Sequence, residues 1–393
     1  METSNGNLGL VGGTIHLSPE EEPIPDGTLL IHKGKIAAVG GRASLLIPDG
    51  VPTLDCSGLS ILAGFWNSHV HFFERKWANA EAIPAAELER QLQDMLTRYG
   101  FTSVFDLSSL WQNTRRLRER IELGGVPGPR IRSTGEGLVP ANPGLPPDSV
   151  TNVMGLMKTP LPEVVDAEQA TAATLKLLEA GVDGIKLFAS APSRAAIPES
   201  VMRAAVEVAH RSGKPAFVHP NDAPDLLNAV RAGVDVVAHT TPASGSWDAA
   251  VLAAMHQRQV ALTPTLTLWK YFLRHDRASV QEQTVNTAIG QLRAWFGSGG
   301  TVLFGTDLGA VEYDPRDEYA LMAEAGMSFR QILATLTTGP AKQFREANRL
   351  GRIRAGFEAD LVVLKGDPSS DLNALTAVQY TLRSGEIIYR GHD

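Results

Sequence analysis

The sequence predicts an α/β fold: a closed (β/α)8 TIM barrel carrying a small β-sandwich domain formed by both chain termini. Three observations point to it. Eight short apolar runs between residues 60 and 344 alternate with amphipathic helical patterns. Several of those helical patterns stop at a glycine directly before the next apolar run, as αβ connections to buried parallel strands do. Both ends of the chain carry β-type runs that have no partner sheet of their own.

The elements follow in order. NLGLVGGTIHL, GTLLIHKGKIAAVG and VPTLDC read as strands, with Gly34 and Gly40-Gly41 as hairpin punctuation. Barrel strands are expected at Ile61–Val70, Thr102–Leu107, Arg130–Gly135, Gly184–Phe188, Pro215–His219, Asp235–His239, Val260–Thr265 and Val302–Thr306. Helical patterns lie between them, among others over Ala85–Tyr99, Ala167–Ala180, Ser200–Ser212, Pro224–Ala232 and Asp248–Gln257. The glycine stops are Gly100, Gly181, Gly213 and Gly233. From about Leu350 the β character returns in Asp360-Leu-Val-Val-Leu, the GDPSSD turn, Val378-Gln-Tyr-Thr-Leu and Glu386-Ile-Ile-Tyr-Arg. Residues 1–58 plus 350–393 are therefore expected to form the β-sandwich, and 59–349 the barrel. An open doubly wound sheet matches the strand count, but eight βα units in this length suit a closed barrel better.

Composition narrows the function classes. With 393 residues and 43% hydrophobic content the chain can bury a large core, which excludes disorder and collagen-like repeats. The formal charge is −7, and the one basic stretch, Thr114–Arg120, is interleaved with apolar and acidic residues. A nucleic-acid partner is not expected, because phosphate binding needs concentrated positive charge. Cys56 is the only cysteine, so neither an intrachain disulfide nor a cysteine zinc cage can form. No apolar run is long enough to span a membrane, and no basic leader with an apolar core is visible. A cytoplasmic location is the expectation.

The chemistry sits at strand ends. His69 and His71, in GFWNSHVHFFE, fall two apart on a strand and so share one side. His219 ends the fifth expected strand, His239 the sixth, and Asp307 closes the eighth. In a barrel, C-terminal strand ends face one mouth. Four imidazoles and a carboxylate meeting there suit zinc, or manganese or iron. Any one of these residues alone would ordinarily be structural; their shared placement carries the reading. His16, His32, His210, His256, His275 and His392 lack it and are read as surface or structural.

Lys186 interrupts the apolar run DGIKLF, where a buried ammonium is costly. It is neutral there, or converted by CO2 to a carbamate able to bridge two cations, or it reaches a carboxylate at the mouth. Phe65, Trp66, Phe72, Phe73, Trp77, Trp111, Trp269 and Tyr271 gather near the expected mouth. They imply an apolar substrate portion, unless they pack loops against helices. Arg75 and Lys76 follow the paired histidines, either to meet a substrate carboxylate or simply solvated.

These residues resemble the amidohydrolase superfamily of metal-dependent hydrolases. The likeness runs from LVGGTI…GTLLIHKGKIAAVG through ILAGFWNSHVH to LTTGPAKQF…GRIRAGFEADLVVLKGDP. Within the superfamily the chain is similar to the imidazolonepropionase-like and Xaa-Pro dipeptidase (prolidase)-like branch. The usual entry motif there is PGxxDxHxH; here Ala63 stands for the proline and Asn67 for the aspartate, neither of them a metal ligand. The resemblance implies that His69, His71 and Asp307 hold one divalent ion and His219 and His239 a second, with a carboxylated Lys186 between them. It further implies hydroxide attack on the carbon–nitrogen bond of a small, partly apolar amide, with Asp307 as general base and then acid. Relatives often form dimers or larger rings, so a homo-oligomer is open to this chain. Two further readings stay open within the superfamily: a mononuclear deaminase, in which Asp222 would replace the usual glutamate, and a cyclic amide or lactone hydrolase. Outside enzymes, the alternative is a metal-binding or assembly protein with a degenerate site.

Overall fold

Gly64 divides the chain between two sheets. The run expected as one strand over Ile61–Val70 is two strands, Leu59–Ala63 and Phe65–Val70. A Cβ at position 64 would lie 2.2 Å from Thr102 Oγ1, so the backbone passes closely enough there that only glycine fits. The computed structural model describes residues 7–144, 161–191, 193, 195–311 and 314–391; His392 lies outside the described residues.

Leu59–Ala63 joins the two ends of the chain. It pairs parallel to Leu8–Ile15 and antiparallel to Leu361–Lys365, with Ile61 opposite Val363. On one side the sheet continues through Ile24–His32 and Lys35–Gly41, and on the other through Val378–Arg383 and Glu386–Arg390; Thr53–Asp55 adds the eighth strand. The sheet folds over itself as a sandwich does. Leu10, Ile31, Ile61, Leu361 and Leu382 share one buried cluster, and the Ala359 N–H donates to Gly34 O at 2.9 Å.

The barrel contains three parallel strands, Phe65–Val70, Phe101–Asp106 and Arg130–Ser133, and five more, Ile185–Phe188, Ala216–His219, Val236–Ala238, Ala261–Thr263 and Thr301–Val302. Backbone bonds close the ring at both seams. Asp183 N–H donates to Ser133 O at 2.7 Å, while Ser68 N–H reaches Phe304 O at 2.8 Å and Asp307 N–H reaches His69 O at 2.9 Å. The observed strands differ from the expected ones by up to four residues at an end, mostly by shortening, while Phe101–Asp106 and Thr301–Val302 each begin one residue earlier. Helices Ala167–Glu179 and Ala223–Ala232 end at Gly181 and Gly233, both with positive φ, as the glycine stops require.

Packing divides the barrel along its axis. Trp66, Phe105, Phe217 and Phe344 fill the N-terminal end, with Phe105 and Phe217 rings 4.6 Å apart. Strand alternation then sends the inward residue one step further on to the mouth: Phe217 is in the plug, and His219 follows on the same face. Among the described residues no helix is long and apolar enough to cross a membrane.

Candidate metal centre

Above the aromatic plug, the inward positions become polar. His69 Nε2 lies 3.2 Å from His71 Nε2 and 3.0 Å from Asp307 Oδ1, and His71 Nε2 lies 2.7 Å from the same oxygen. His239 joins them: its ring is 4.8 Å from that of His69, and ligand atoms of His69, His239 and Asp307 all fall within 4.8 Å of one another. The His219 ring stands 4.5 Å from that of His239. Lys186 is 0% exposed, and its Nζ has no hydrogen-bond partner among the described residues.

The backbone departs from regular strand to achieve this. Val236 points into the plug, so simple alternation would turn His239 outward; its φ of +78° brings it back. Asp307 likewise has φ +62°. Non-glycine residues seldom take such values, and where they do they concentrate at functional sites.

Burial sets the charge states. It pushes His69 down to about 3, against the opposing pull of Asp307, and His219 down to about 4, aided by Lys186. His239 is held well below the usual imidazole range by burial and by His219. Burial alone would raise Asp307, but His69 and His71 hold it well below the usual carboxylate range. Burial brings Lys186 down to about 7, with Asp307 opposing. His69, His219 and His239 thus offer neutral imidazoles and Asp307 an ionised carboxylate, the forms that ligate metals. The Nε2 atoms of His69 and His71 gathered on Asp307 Oδ1, together with a Lys186 amine that has no hydrogen-bond partner among the described residues, fit a cluster completed by cations.

A pH dependence follows. Unfolded imidazoles take up protons below about 6.5, whereas buried His69 and His219 resist until about 3 and about 4. Between those limits the unfolded chain binds more protons, so folding stability rises with pH. Glu318, lifted to about 7, and Asp106, also raised, work the other way, but four imidazoles including His16 outnumber them. Metal-free protein should therefore show a higher denaturant midpoint at pH 6.5 than at pH 5; an equal or lower one would refute this charge assignment.

All six candidate residues come together here, but the expected aromatic mouth does not. Trp66 packs at the opposite end, and Phe65 is buried in the layer between barrel and helices. Phe72 and Trp77 pack edge-to-face on each other, Trp111 donates to Ala180 O, and Tyr271 lies against Arg274. Two of the eight adjoin the centre: Phe73 stacks on His71 at 4.8 Å, and Trp269 bonds Thr240, next to His239. Lys76 pairs with Glu74, and Arg75 is exposed. Asp222, on which the deaminase reading relies, caps the helix Ala223–Ala232 by accepting from Asp225 N–H at 2.8 Å. His16, His32, His210, His256 and His275 lie away from the cluster, and four of them have local partners: Phe329, Asn7, Asp235 and Ser298 respectively for the first four.

Several neighbours, and the contacts of Asn67, escaped the sequence reading. Phe188 stands 5.5 Å from the His219 ring, and its place two residues after Lys186 in IKLF was the available signal. Asn67 accepts from His69 N–H at 3.2 Å while donating to Thr306 Oγ1 at 2.7 Å, bracing the first strand against the eighth. Asn221 faces His219 at 3.3 Å, and Thr265 lies 2.5 Å from His239 Nδ1.

Known proteins with the same organisation are found by sequence and by structure. Ochratoxinase of Aspergillus niger is 22% identical over 427 aligned residues, spanning 98% of this chain and 87% of that protein. The crystal structure of a Xaa-Pro dipeptidase with bound methionine in its active site superposes with TM-score 0.82 at 22% identity, covering 98% of this chain and 100% of that one. The A. niger ochratoxinase structure gives 0.79 at 21%, covering 98% and 96%. Residues 60–389 match the Amidohydrolase family. The chain therefore belongs to that family and is a hydrolase acting on carbon–nitrogen bonds.

Proposed function

We propose that this chain hydrolyses an amide or peptide-like bond in a small, partly apolar molecule, using two divalent ions. Zinc is the first choice, with manganese or iron as alternatives. His69, His71 and Asp307 would hold one ion, His219 and His239 the other, and a carbamate on Lys186 would join them. The observation that carries the reading is the meeting of His69 Nε2, His71 Nε2 and Asp307 Oδ1 within 3.2 Å, beside a buried lysine with no hydrogen-bond partner among the described residues.

Bound ions in such a site lower the pKa of water and polarise the scissile carbonyl. The protein's own groups do the rest. Lys186 in its neutral form attacks CO2, forming an N–C bond and releasing one proton, and so becomes an anion. Asp307 accepts the proton that water gives up on attack and returns it to the departing nitrogen. Phe73 and Phe188 present apolar faces beside His71 and His219, suited to an apolar substrate portion. The likeness to an ochratoxinase and a Xaa-Pro dipeptidase supports an amide or peptide-like bond.

Elemental analysis of protein purified without chelator should find about two divalent ions per chain, as in two-metal hydrolytic sites. Chelation should abolish, and zinc restore, activity in a screen of N-acyl amino acids, dipeptides, anilides and lactones. Active protein free of any transition metal would overturn the proposal.

A further inference from the structure

Thr265 stands where the chain leaves the barrel strand Ala261–Thr263 and enters the short helix Leu266–Phe272. A threonine before a helix ordinarily turns its hydroxyl onto a free backbone N–H of the first turn. Thr265 makes no such bond, and its φ is +44°, a left-handed value that β-branched residues rarely take. Its Oγ1 lies instead 2.5 Å from His239 Nδ1.

The cap is supplied by a different helix. Glu318, on Arg316–Glu324 and wholly buried, accepts from Leu266 N–H at 2.9 Å, Thr267 N–H at 2.8 Å and the Thr267 hydroxyl at 2.8 Å. Among the described residues no cationic side chain pairs with it, and burial lifts its carboxyl to about 7. The fold thus keeps two unfavourable features side by side, a buried carboxylate without a cation and a left-handed threonine. Their joint product is one hydroxyl aimed at His239. The following residues are held separately: Trp269 Nε1 donates to Thr240 Oγ1, and Trp247 Nε1 to Thr241 Oγ1, each at 2.8 Å.

We propose that Glu318 and Thr265 form a positioning chain for His239. Glu318 takes over the helix cap, which frees the Thr265 hydroxyl to accept the Nδ1 proton of His239 and fix the ring as the Nδ1–H tautomer with Nε2 directed to the metal centre. Outer partners of this kind set ring orientation and ligand basicity. The inference rests on the reading of His239 as a metal ligand, so its test begins on metal-free protein.

Nitrogen-15 NMR of histidine-labelled, chelated full-length protein, with His239→Gln to assign the signal, reads the tautomer directly. Wild type should show the Nδ1–H form. Thr265→Val and Glu318→Gln should give mixed tautomers and bind zinc about 10–100-fold more weakly, the usual scale for lost outer partners. Thr265→Ser, which keeps the hydroxyl, should recover the tautomer and most of the affinity. The double variant Thr265→Val/Glu318→Gln should bind zinc no more weakly than Thr265→Val alone, because both changes act through one hydroxyl. If Glu318→Gln fails to fold, the valine and serine variants still decide. An unchanged tautomer and zinc affinity in Thr265→Val, or strictly additive losses in the double variant, would overturn the positioning chain. A fixed tautomer in wild-type protein that binds no zinc would leave the chain standing and remove the metal reading.

Discussion

Lys186→Met is expected to lose at least one bound ion and nearly all activity, while making the metal-free protein more stable than wild type. The two effects have one origin. The Lys186 amine is fully buried and has no hydrogen-bond partner among the described residues. An unmatched buried polar group costs on the order of 1–3 kcal/mol, and methionine fills comparable space without it. On the proposed function the wild-type residue is thus a liability to the metal-free protein, which a carbamate would make good. Lys186→Arg should not rescue, since a guanidinium stays charged and cannot be carboxylated. In Lys186→Ala, short carboxylic acids should restore part of the rate by standing in for the missing anion. Retention of two ions and a near-normal rate by Lys186→Arg would defeat this account, as would a metal-free Lys186→Met less stable than wild type.

Asp307→Asn should act with the opposite sign on stability and the same sign on rate. Its carboxylate meets both His69 Nε2 and His71 Nε2, which hold it well below the usual carboxylate range. A depressed carboxylate stabilises the fold at all pH values above its unfolded pKa. The amide keeps the shape but loses the charge, so the metal-free variant should be less stable at pH 7. It also cannot take a proton from water, and the rate should fall by about 10²–10⁴-fold, the usual contribution of a general acid–base. Rates compared at equal metal content isolate the proton path; a loss smaller than tenfold would take Asp307 out of it.

The barrel and the six candidate residues were legible because local signals coincide with them. A lysine inside IKLF and histidines closing apolar runs are conflicts with local propensity, and such conflicts mark functional positions. What was illegible depends on contacts between distant segments. The need for glycine at position 64 comes from Thr102, on the next barrel strand. The inward turn of His239 comes from its positive φ, where alternation from Val236 argues for the reverse. The aromatic residues could not be sorted because the facing of Phe65 and Trp66 depends on register shifts within the first strand. Glu318 and the helix start it caps lie 52 positions apart, beyond any local pattern.

The strand Leu59–Ala63 has a consequence for synthesis on the ribosome. Its Ser60 hydroxyl bonds Gly366 O across 306 positions, and its antiparallel partner is Leu361–Lys365. At roughly 5–20 residues per second, that partner emerges about 15–60 s after the strand it must meet. Throughout that interval the nascent chain carries an open apolar edge, Ile61 and Leu62 included, and the edge stays open even after the last barrel strand, Thr301–Val302, has been made. The edge is a standing invitation to intermolecular pairing. Slow translation through the barrel would lengthen this exposure, and chaperone dependence of yield should track the speed of that stretch more closely than the stability of the finished protein.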